Sequence, residues 1–496
     1  MDTEVLVVGA GPTGLTLAAG LLQRGVRVRI IDKTGGPGTW GKGSHSRAIT
    51  LWPRALEAFQ SLGVGTALYE RGVKLAAANY YTDGRRVGRI RLRPLSHTRF
   101  PVPVTLPQST TEQVLRDAVT MAGGRIEFNR SLETLTHDDD GVLALLDNGE
   151  IVRAEWLVGC DGAQSKVRER SGVVFDGAMY PQTFLILDGE FDTDYAPDES
   201  YYLTGPAGVL VVVGLPGGLH RTFASIPPTA TVDDVEAGML RVLAQRSPLR
   251  IKLLRSAGSG TFRIHRRMVD QMRIGRVLLA GDAAHVHSPA GGLGLNIGAQ
   301  DAVSLAWRLA GVLRGDLPRG ELDAWERERL FVARRVLADT DAQTRLWMAH
   351  GLRGVARDLA IRVGLRTGLI ERILPRRLAQ FDLAMPAGGT GAGRLRPGKR
   401  MPDVVLGDGR RLHDLLTDYL LVALGGSAPS TVDGAPVVVI DNQRQLQSLG
   451  ASRGTVCLVR PDAVIAAVGR GHAGLVELRS RFNAVCQLSQ PEDVLR

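Results

Sequence analysis

Three cysteines in 496 residues, Cys160, Cys457 and Cys486, with no CxxC pair, exclude a disulfide-dense scaffold, a zinc ribbon and a dithiol redox centre. Cysteine this sparse fits a reducing, cytoplasmic location. Long hydrophobic runs are missing too. The apolar stretch 208–215 falls far below the roughly 20 residues that span a bilayer, and Asp2 and Glu4 leave no basic leader before the first apolar run. No membrane association is expected. Lysine is scarce, six among 61 basic residues, so the net charge of +10 rests almost wholly on arginine, a planar donor suited to phosphates and carboxylates. No basic block carries interleaved aromatics, which argues against a nucleic-acid partner. What is present is 44% hydrophobic and 23% charged residues, a composition that buries a core, in a length suited to about three domains.

Residues 4–8 (Glu-Val-Leu-Val-Val) read as a short buried strand, followed by the turn Gly9-Ala10-Gly11-Pro12-Thr13-Gly14 and an apolar helical stripe through Leu15, Ala18, Leu21 and Leu22. Gly9 suits a tight turn, Gly11 the close approach of a pyrophosphate, and Gly14 helix-on-sheet packing. The helix N-terminus offers free N–H groups to the phosphates. A second strand, residues 26–31, ends at Asp32, followed by Lys33; the acid is placed to bind an adenosine ribose hydroxyl. A complete strand–turn–helix–strand–acid unit predicts dinucleotide binding, with ordinary βαβ packing as the alternative.

Two later segments indicate which dinucleotide. Leu157-Val158-Gly159-Cys160-Asp161-Gly162-Ala163, followed by Ser165 and Arg168, resembles the DG motif of class A flavoprotein aromatic hydroxylases. Val277 to His285, containing Gly281-Asp282, and the continuation through Pro289, Gly291-Gly292-Leu293-Gly294-Leu295-Asn296 and Gln300-Asp301-Ala302, resemble that family's second FAD motif. The motifs stand in the family's order. The chain is similar to the phenol-hydroxylase and aromatic-polyketide-hydroxylase branch, which carries an extra C-terminal domain.

The resemblance implies FAD as cofactor and NADPH or NADH as reductant. Asp282 would contact the flavin ribityl chain, while Pro289 and the backbone at Gly292, Leu293, Gly294, Leu295 and Asn296 would border the flavin ring; a helix-capping acid is the plainer reading of Asp282. Arg47 would approach the pyrophosphate and the substrate, unless it is a solvated surface arginine. Gln108 would contact FAD, with Glu112 a weaker candidate on the same helix. Asp161 would link the FAD region to the nicotinamide route, with buried turn support as the alternative, and Arg168 would anchor that motif through a carboxylate or a backbone carbonyl. The resemblance fixes no catalytic base; Arg47 and His45 are the weak catalytic candidates. His285 and His287 are poor evidence for a metal site, and none is expected.

The predicted fold class is α/β: a discontinuous Rossmann-like FAD-binding domain, a β-sheet substrate domain and a C-terminal thioredoxin-like domain. Residues 1–174 form the first FAD part, with an excursion near 75–105 that brings Tyr80-Tyr81 to the substrate sheet. Residues 175–270 form that sheet, with strands expected at 183–191, 209–215 and 221–226. Residues 271–385 complete the FAD domain and are mostly helical over 322–374, with Trp325, Phe331 and Trp347 as packing residues. The Gly/Pro-rich stretch 386–398 reads as a linker. Residues 399–496 carry strand candidates at 419–424, 437–440, 455–459 and 463–468, and the missing CxxC argues against disulfide exchange.

The implied reaction consumes NAD(P)H and dioxygen and hydroxylates an aromatic, polycyclic phenolic substrate through a flavin C4a-hydroperoxide. Baeyer–Villiger oxygenation of a polyketide ketone and a non-catalytic FAD-binding protein are the alternatives; a homodimer is left open. Two departures from the family pattern stand out: Ser288 where many relatives carry a first proline before Pro289, and Leu293 in place of a common glutamine.

Overall fold

Residues 3–8 alternate nothing polar after Glu4, and a strand buried on both faces needs no alternation. Thr3–Val8 is accordingly a central strand of an eight-stranded sheet, with Ile151–Gly159 and Val28–Asp32 parallel on its two sides, then Val277–Leu279 and Ile126–Phe128 beyond them. The structure, a computed structural model, describes residues 1–36, 48–227, 232–425, 431–432 and 435–487. Helix Pro12–Leu22 follows the first strand and packs against Gly294–Arg314 from the far half of the chain. Gly20 permits this approach, since a Cβ there would press on the methyl of Ala306. This first sheet is therefore assembled from discontinuous segments around one core that includes Val5, Leu6, Leu15, Ala18, Leu157 and Leu279.

A second eight-stranded sheet runs in the order His285–Val286, Ile251–Val269, Phe175–Thr193, Leu219–Ile226, Gly208–Gly214, Glu199–Gly205, Ala77–Thr82, Arg85–Arg91. The excursion Ala77–Thr82 joins it in parallel with Glu199–Gly205. Two of its strands are 19 residues long, and the register shifts at Asp188/Gly189 and Glu190/Phe191 bend the pair. The sequence reading covered only half of the first and missed the second, because Arg255, Ser256, Gly258, Ser259 and Gly260 dilute the β signature of Ile251–Val269.

The expected helical region breaks into Gly320–Trp347, Leu352–Arg366 and Leu369–Leu378; Gly351 (φ 61°) precedes the second helix, and Gly368 (φ 67°) separates the second from the third, each in a conformation glycine adopts at little steric cost. Trp325 and Trp347 are buried as expected; Phe331 is 37% exposed and lies outside the buried core. Strand Val28–Asp32 begins later than residue 26. The last C-terminal strand is Ile465–Arg470, because Ala463 turns at φ 57° and cannot continue a strand.

The C-terminal segment forms a five-stranded sheet in which Ala435–Ile440 pairs in parallel with Leu420–Leu424, and Thr455–Val459 and Ile465–Arg470 continue it antiparallel. The stretch read as a linker is not an open tether. Met385 N–H donates to Gly398 at 2.9 Å, Ala392 bridges Leu395, and Leu395 is buried in the C-terminal core. Across the boundary, Arg400 ion-pairs with Glu57, Arg54 donates to the Asp462 carbonyl at 2.7 Å, and Arg460 reaches Glu328 at 2.6 Å. Among the described residues no helix is long and apolar enough to cross a membrane.

Candidate active site

The first glycine turn distinguishes glycines needed by the protein from one that is not. A Cβ on Gly9 (φ 105°) would collide with the Cys160 carbonyl, and one on Gly14 with the Gly9 carbonyl. Gly11 has φ −75°, open to any residue, and a Cβ there would meet nothing within 4 Å. Neither conformation nor packing demands glycine at 11, and its bare backbone faces the cavity. Helix Pro12–Leu22 starts at this point without a side-chain cap, and Gly9, Gly11, Pro12 and Thr13 line a cavity of about 700 Å³. Gly14 lies behind them and outside the lining.

Asp32 is fixed at the edge of this cradle. Its Oδ2 accepts from the Ala10 N–H at 2.7 Å, and its Oδ1 accepts from the Thr34 N–H at 2.8 Å and the Thr34 hydroxyl at 2.6 Å. A carboxylate has further lone-pair sites, so a ribose hydroxyl can still be accommodated. Lys33 lines the cavity beside it. Gln108 accepts from the Ala48 N–H at 3.3 Å and donates to Glu112 at 2.9 Å, and both face the cavity. Burial pushes the Glu112 carboxyl up, against the Gln108 hydrogen bond and the Arg116 charge. Arg47 and His45 lie outside the described residues.

The second motif meets the first directly. Gly281 (φ 63°) sits on Thr13, as does Gly298, so the turn holding Asp282 and helix Gly294–Arg314 both touch the first glycine turn. Beneath lies Asp301, fully buried: its Oδ2 accepts from the Gly281 N–H at 3.1 Å and meets His285 Nε2 at 2.7 Å, and its Oδ1 accepts from Arg329 at 2.6 Å. Burial alone would raise this carboxyl, but the Arg329 guanidinium and His285 overcome it and hold it at about 2. His285 is thus a structural partner of an aspartate. His287 lines the cavity instead; its Nδ1–H donates to the Ser288 carbonyl at 2.8 Å, and burial lowers its pKa to about 4.

Gly291 and Gly292 take successive left-handed conformations (φ 78° and 65°) that swing the chain into the uncapped start of helix Gly294–Arg314. Pro289, Gly291, Gly292, Leu293, Gly294 and Leu295 line the cavity; Asn296 does not. Its amide instead holds the loop from behind: Oδ1 accepts from the Trp52 N–H at 2.7 Å, and Nδ2 donates to the Thr50 and Gly292 carbonyls at 2.8 and 2.6 Å. The two departures from the family pattern are both accommodated. Ser288 Oγ accepts from the Thr344 hydroxyl at 2.6 Å, tying the loop to a neighbouring helix where proline would stiffen it, and Leu293 joins an apolar cluster with Trp52, Ile297 and Val332.

In the DG motif, Asp161 Oδ2 accepts from the N–H groups of Lys166 and Val167 at 2.7 and 3.1 Å, while Oδ1 is buried without a partner in a residue that lines the cavity. Arg168 anchors through backbone carbonyls, Ala163 at 2.9 Å and Ala283 at 2.8 Å, which joins the DG loop to the Gly281–Ala283 turn. The residues fit a dinucleotide: a bare glycine face, an uncapped helix start, a fixed acid and unfilled polar capacity line one space.

Strand register shapes the other wall. Ile186, Phe223, Val211, Tyr202 and Tyr80 are successive partners across five strands, and all face the cavity. Trp347 closes this row, 5.0 Å from the Tyr202 ring and 6.5 Å from Phe223. Sequence periodicity located three of these strands; the shared row depends on pairings no local pattern specifies.

Comparison with known proteins agrees with this geometry. The model of the FAD binding domain family matches residues 2–340. The chain is 34% identical to 6-methylpretetramide 4-monooxygenase of Streptomyces rimosus, over 99% of this chain and 94% of that protein, and 33% identical to rifampicin monooxygenase of Streptomyces venezuelae, over 83% and 85%. Among solved structures, anhydrotetracycline hydroxylase OxyS of Streptomyces rimosus superimposes with a TM-score of 0.79 at 26% identity, covering 99% of this chain and 100% of that one. The chain belongs to the FAD-binding aromatic hydroxylase family: it is a flavin-dependent monooxygenase, and FAD is its cofactor.

Proposed function

We propose that this enzyme uses NADPH or NADH and dioxygen to hydroxylate a polycyclic phenol of the polyketide type. One observation carries the reading: a single cavity runs from the bare glycine turn and Asp32, past Asp282 and the Gly291–Gly292 loop, to the aromatic row of the second sheet. In this reading Gly9, Gly11, Pro12 and Thr13 receive the FAD pyrophosphate, and Gly14 supports them from behind. Asp32 and Lys33 receive the adenosine end; Gln108 and Asp161 flank the cofactor; Asp282, Pro289, Gly292, Leu293, Gly294 and Leu295 border the flavin, with Asn296 holding their loop. When bound, reduced FAD supplies activated dioxygen, one atom of which enters the aromatic ring while the other leaves as water.

The protein supplies placement and dryness. Ile186, Val211, Val213 and Phe223 exclude water from the reacting face, and Tyr202 and Trp347 offer planes on which a fused ring system stacks. The uncapped N–H groups at the start of helix Gly294–Arg314 stabilise negative charge without a cationic side chain. Relatives that act on 6-methylpretetramide and anhydrotetracycline support a fused-ring substrate of this class. The test is turnover of anhydrotetracycline under isotopically heavy dioxygen. Gain of one heavy oxygen as a new ring hydroxyl is expected; a ring-expanded lactone, or uncoupled NAD(P)H consumption with every fused-ring phenol tried, would overturn the proposal.

A further inference from the structure

The excursion Ala77–Thr82 contributes one side chain that the reading above leaves without a task. Tyr80 lies at the end of the aromatic row. Its ring stacks on Tyr202 with centroids 5.2 Å apart and 17° between planes. Across the hairpin it faces Gly88, where the missing Cβ admits Leu365 and Ile361 of helix Leu352–Arg366 against the strand. The ring is thus held in place, and phenylalanine would fill the same space. The hydroxyl is the surplus. It makes no hydrogen bond to any described residue, although Tyr80 lines the cavity and is mostly enclosed. Buried tyrosines ordinarily satisfy their hydroxyl, and the space beside this residue is the cavity. Burial and the neighbouring Tyr202 push this phenol well above its usual value, against a weaker opposing effect of Arg357, so it keeps its proton and has one donor to offer.

We infer that Tyr80 is a substrate-binding residue whose hydroxyl donates to a carbonyl or hydroxyl oxygen carried on the fused-ring substrate, while Tyr202 and Trp347 hold the ring plane. The assignment rests on the polycyclic-phenol reading and adds to it a requirement: the substrate bears an oxygen where Tyr80 can reach it. A fused ring system lacking that oxygen would still stack on the same wall but lose the directed contact.

The experiment is binding of two probes, danthron (a dihydroxyanthraquinone) and anthracene, to the FAD-loaded wild type and to Tyr80→Phe, followed by quenching of protein fluorescence. FAD content and melting temperature are measured alongside. Loss of one hydrogen bond predicts about tenfold weaker danthron binding in Tyr80→Phe, with anthracene binding, FAD content and melting temperature unchanged. Equal danthron affinity in the two proteins overturns the assignment while leaving the polycyclic reading in place. An equal loss for both probes, or loss of FAD, marks the hydroxyl as structural and also overturns it. A wild type that takes up neither probe removes the polycyclic reading and the Tyr80 assignment together.

Discussion

The backbone N–H of Gly281 donates to the carboxylate of Asp301 at 3.1 Å, so the turn that presents Asp282 to the cavity is held from below by a charge that never reaches the cavity. Arg329 and His285 complete the arrangement. Asp301→Ala leaves the buried Arg329 without its partner, a change worth roughly 3–5 kcal/mol. The expected outcome is a lower melting temperature together with FAD release during gel filtration. Retained flavin and unchanged melting would remove Asp301 from this role.

Gly11 and Gly14 are predicted to separate binding from folding. Gly11→Ala adds a methyl to open space at an ordinary φ, so the apo-protein should melt within about 1 kcal/mol of wild type while FAD affinity falls at least tenfold. Gly14→Ala forces the helix off the Gly9 carbonyl and should destabilise the fold itself. Differential scanning calorimetry with fluorimetric FAD titration checks both.

Acid sensitivity should include a component from His287. Its folded pKa of about 4 lies below the unfolded value of 6.5, so the native state disfavours the proton. The associated stability is fully present above pH 6.5 and is lost as pH falls toward 4; the full difference corresponds to roughly 3 kcal/mol. Asp301 adds a second loss only below its unfolded value of 3.8. Urea unfolding of His287→Gln across this range should show a flatter dependence between pH 6.5 and 4 than wild type, and a parallel dependence would reject the assignment.

The C-terminal sheet should unfold with the FAD domain. Glu57 is buried between Arg400 and Arg54, and the Arg400 and Arg54 charges hold its carboxyl at about 2 against burial. Glu57→Ala strands two guanidinium groups and should cost roughly 3–5 kcal/mol, with one cooperative urea transition in wild type. Two separate transitions in wild type would show that the interface is weak.

The glycine turn with Asp32 and the Gly281–Asp282 segment were legible in the sequence because their chemistry is local: strand, glycine, helix and acid follow one another. Gly14 packs against the Gly9 carbonyl, as its place in the motif suggests, and Gly11 turns bare backbone toward the cavity. Asn296 was read as bordering the flavin but holds the loop from behind, since motif position does not reveal which way an amide turns. Arg460 and Asp462, just after strand Thr455–Val459, face the FAD domain, paired with Glu328 and Arg308, and no local pattern announces partners more than 130 residues away. Tyr80 was placed on the second sheet, but its place in the aromatic row required the register of four neighbouring strands. Long-range pairings leave no periodic trace in sequence, and this wall of the cavity is made of them.

The most direct test of the account is anaerobic reduction of the bound flavin by NADPH and by NADH, followed by loss of flavin absorbance, with and without danthron. A hydroxylase that commits its reductant only when substrate fills the aromatic wall predicts markedly faster bleaching with danthron present. Bleaching at one rate regardless of danthron and of a wider set of fused-ring phenols, in protein carrying stoichiometric FAD, would contradict it.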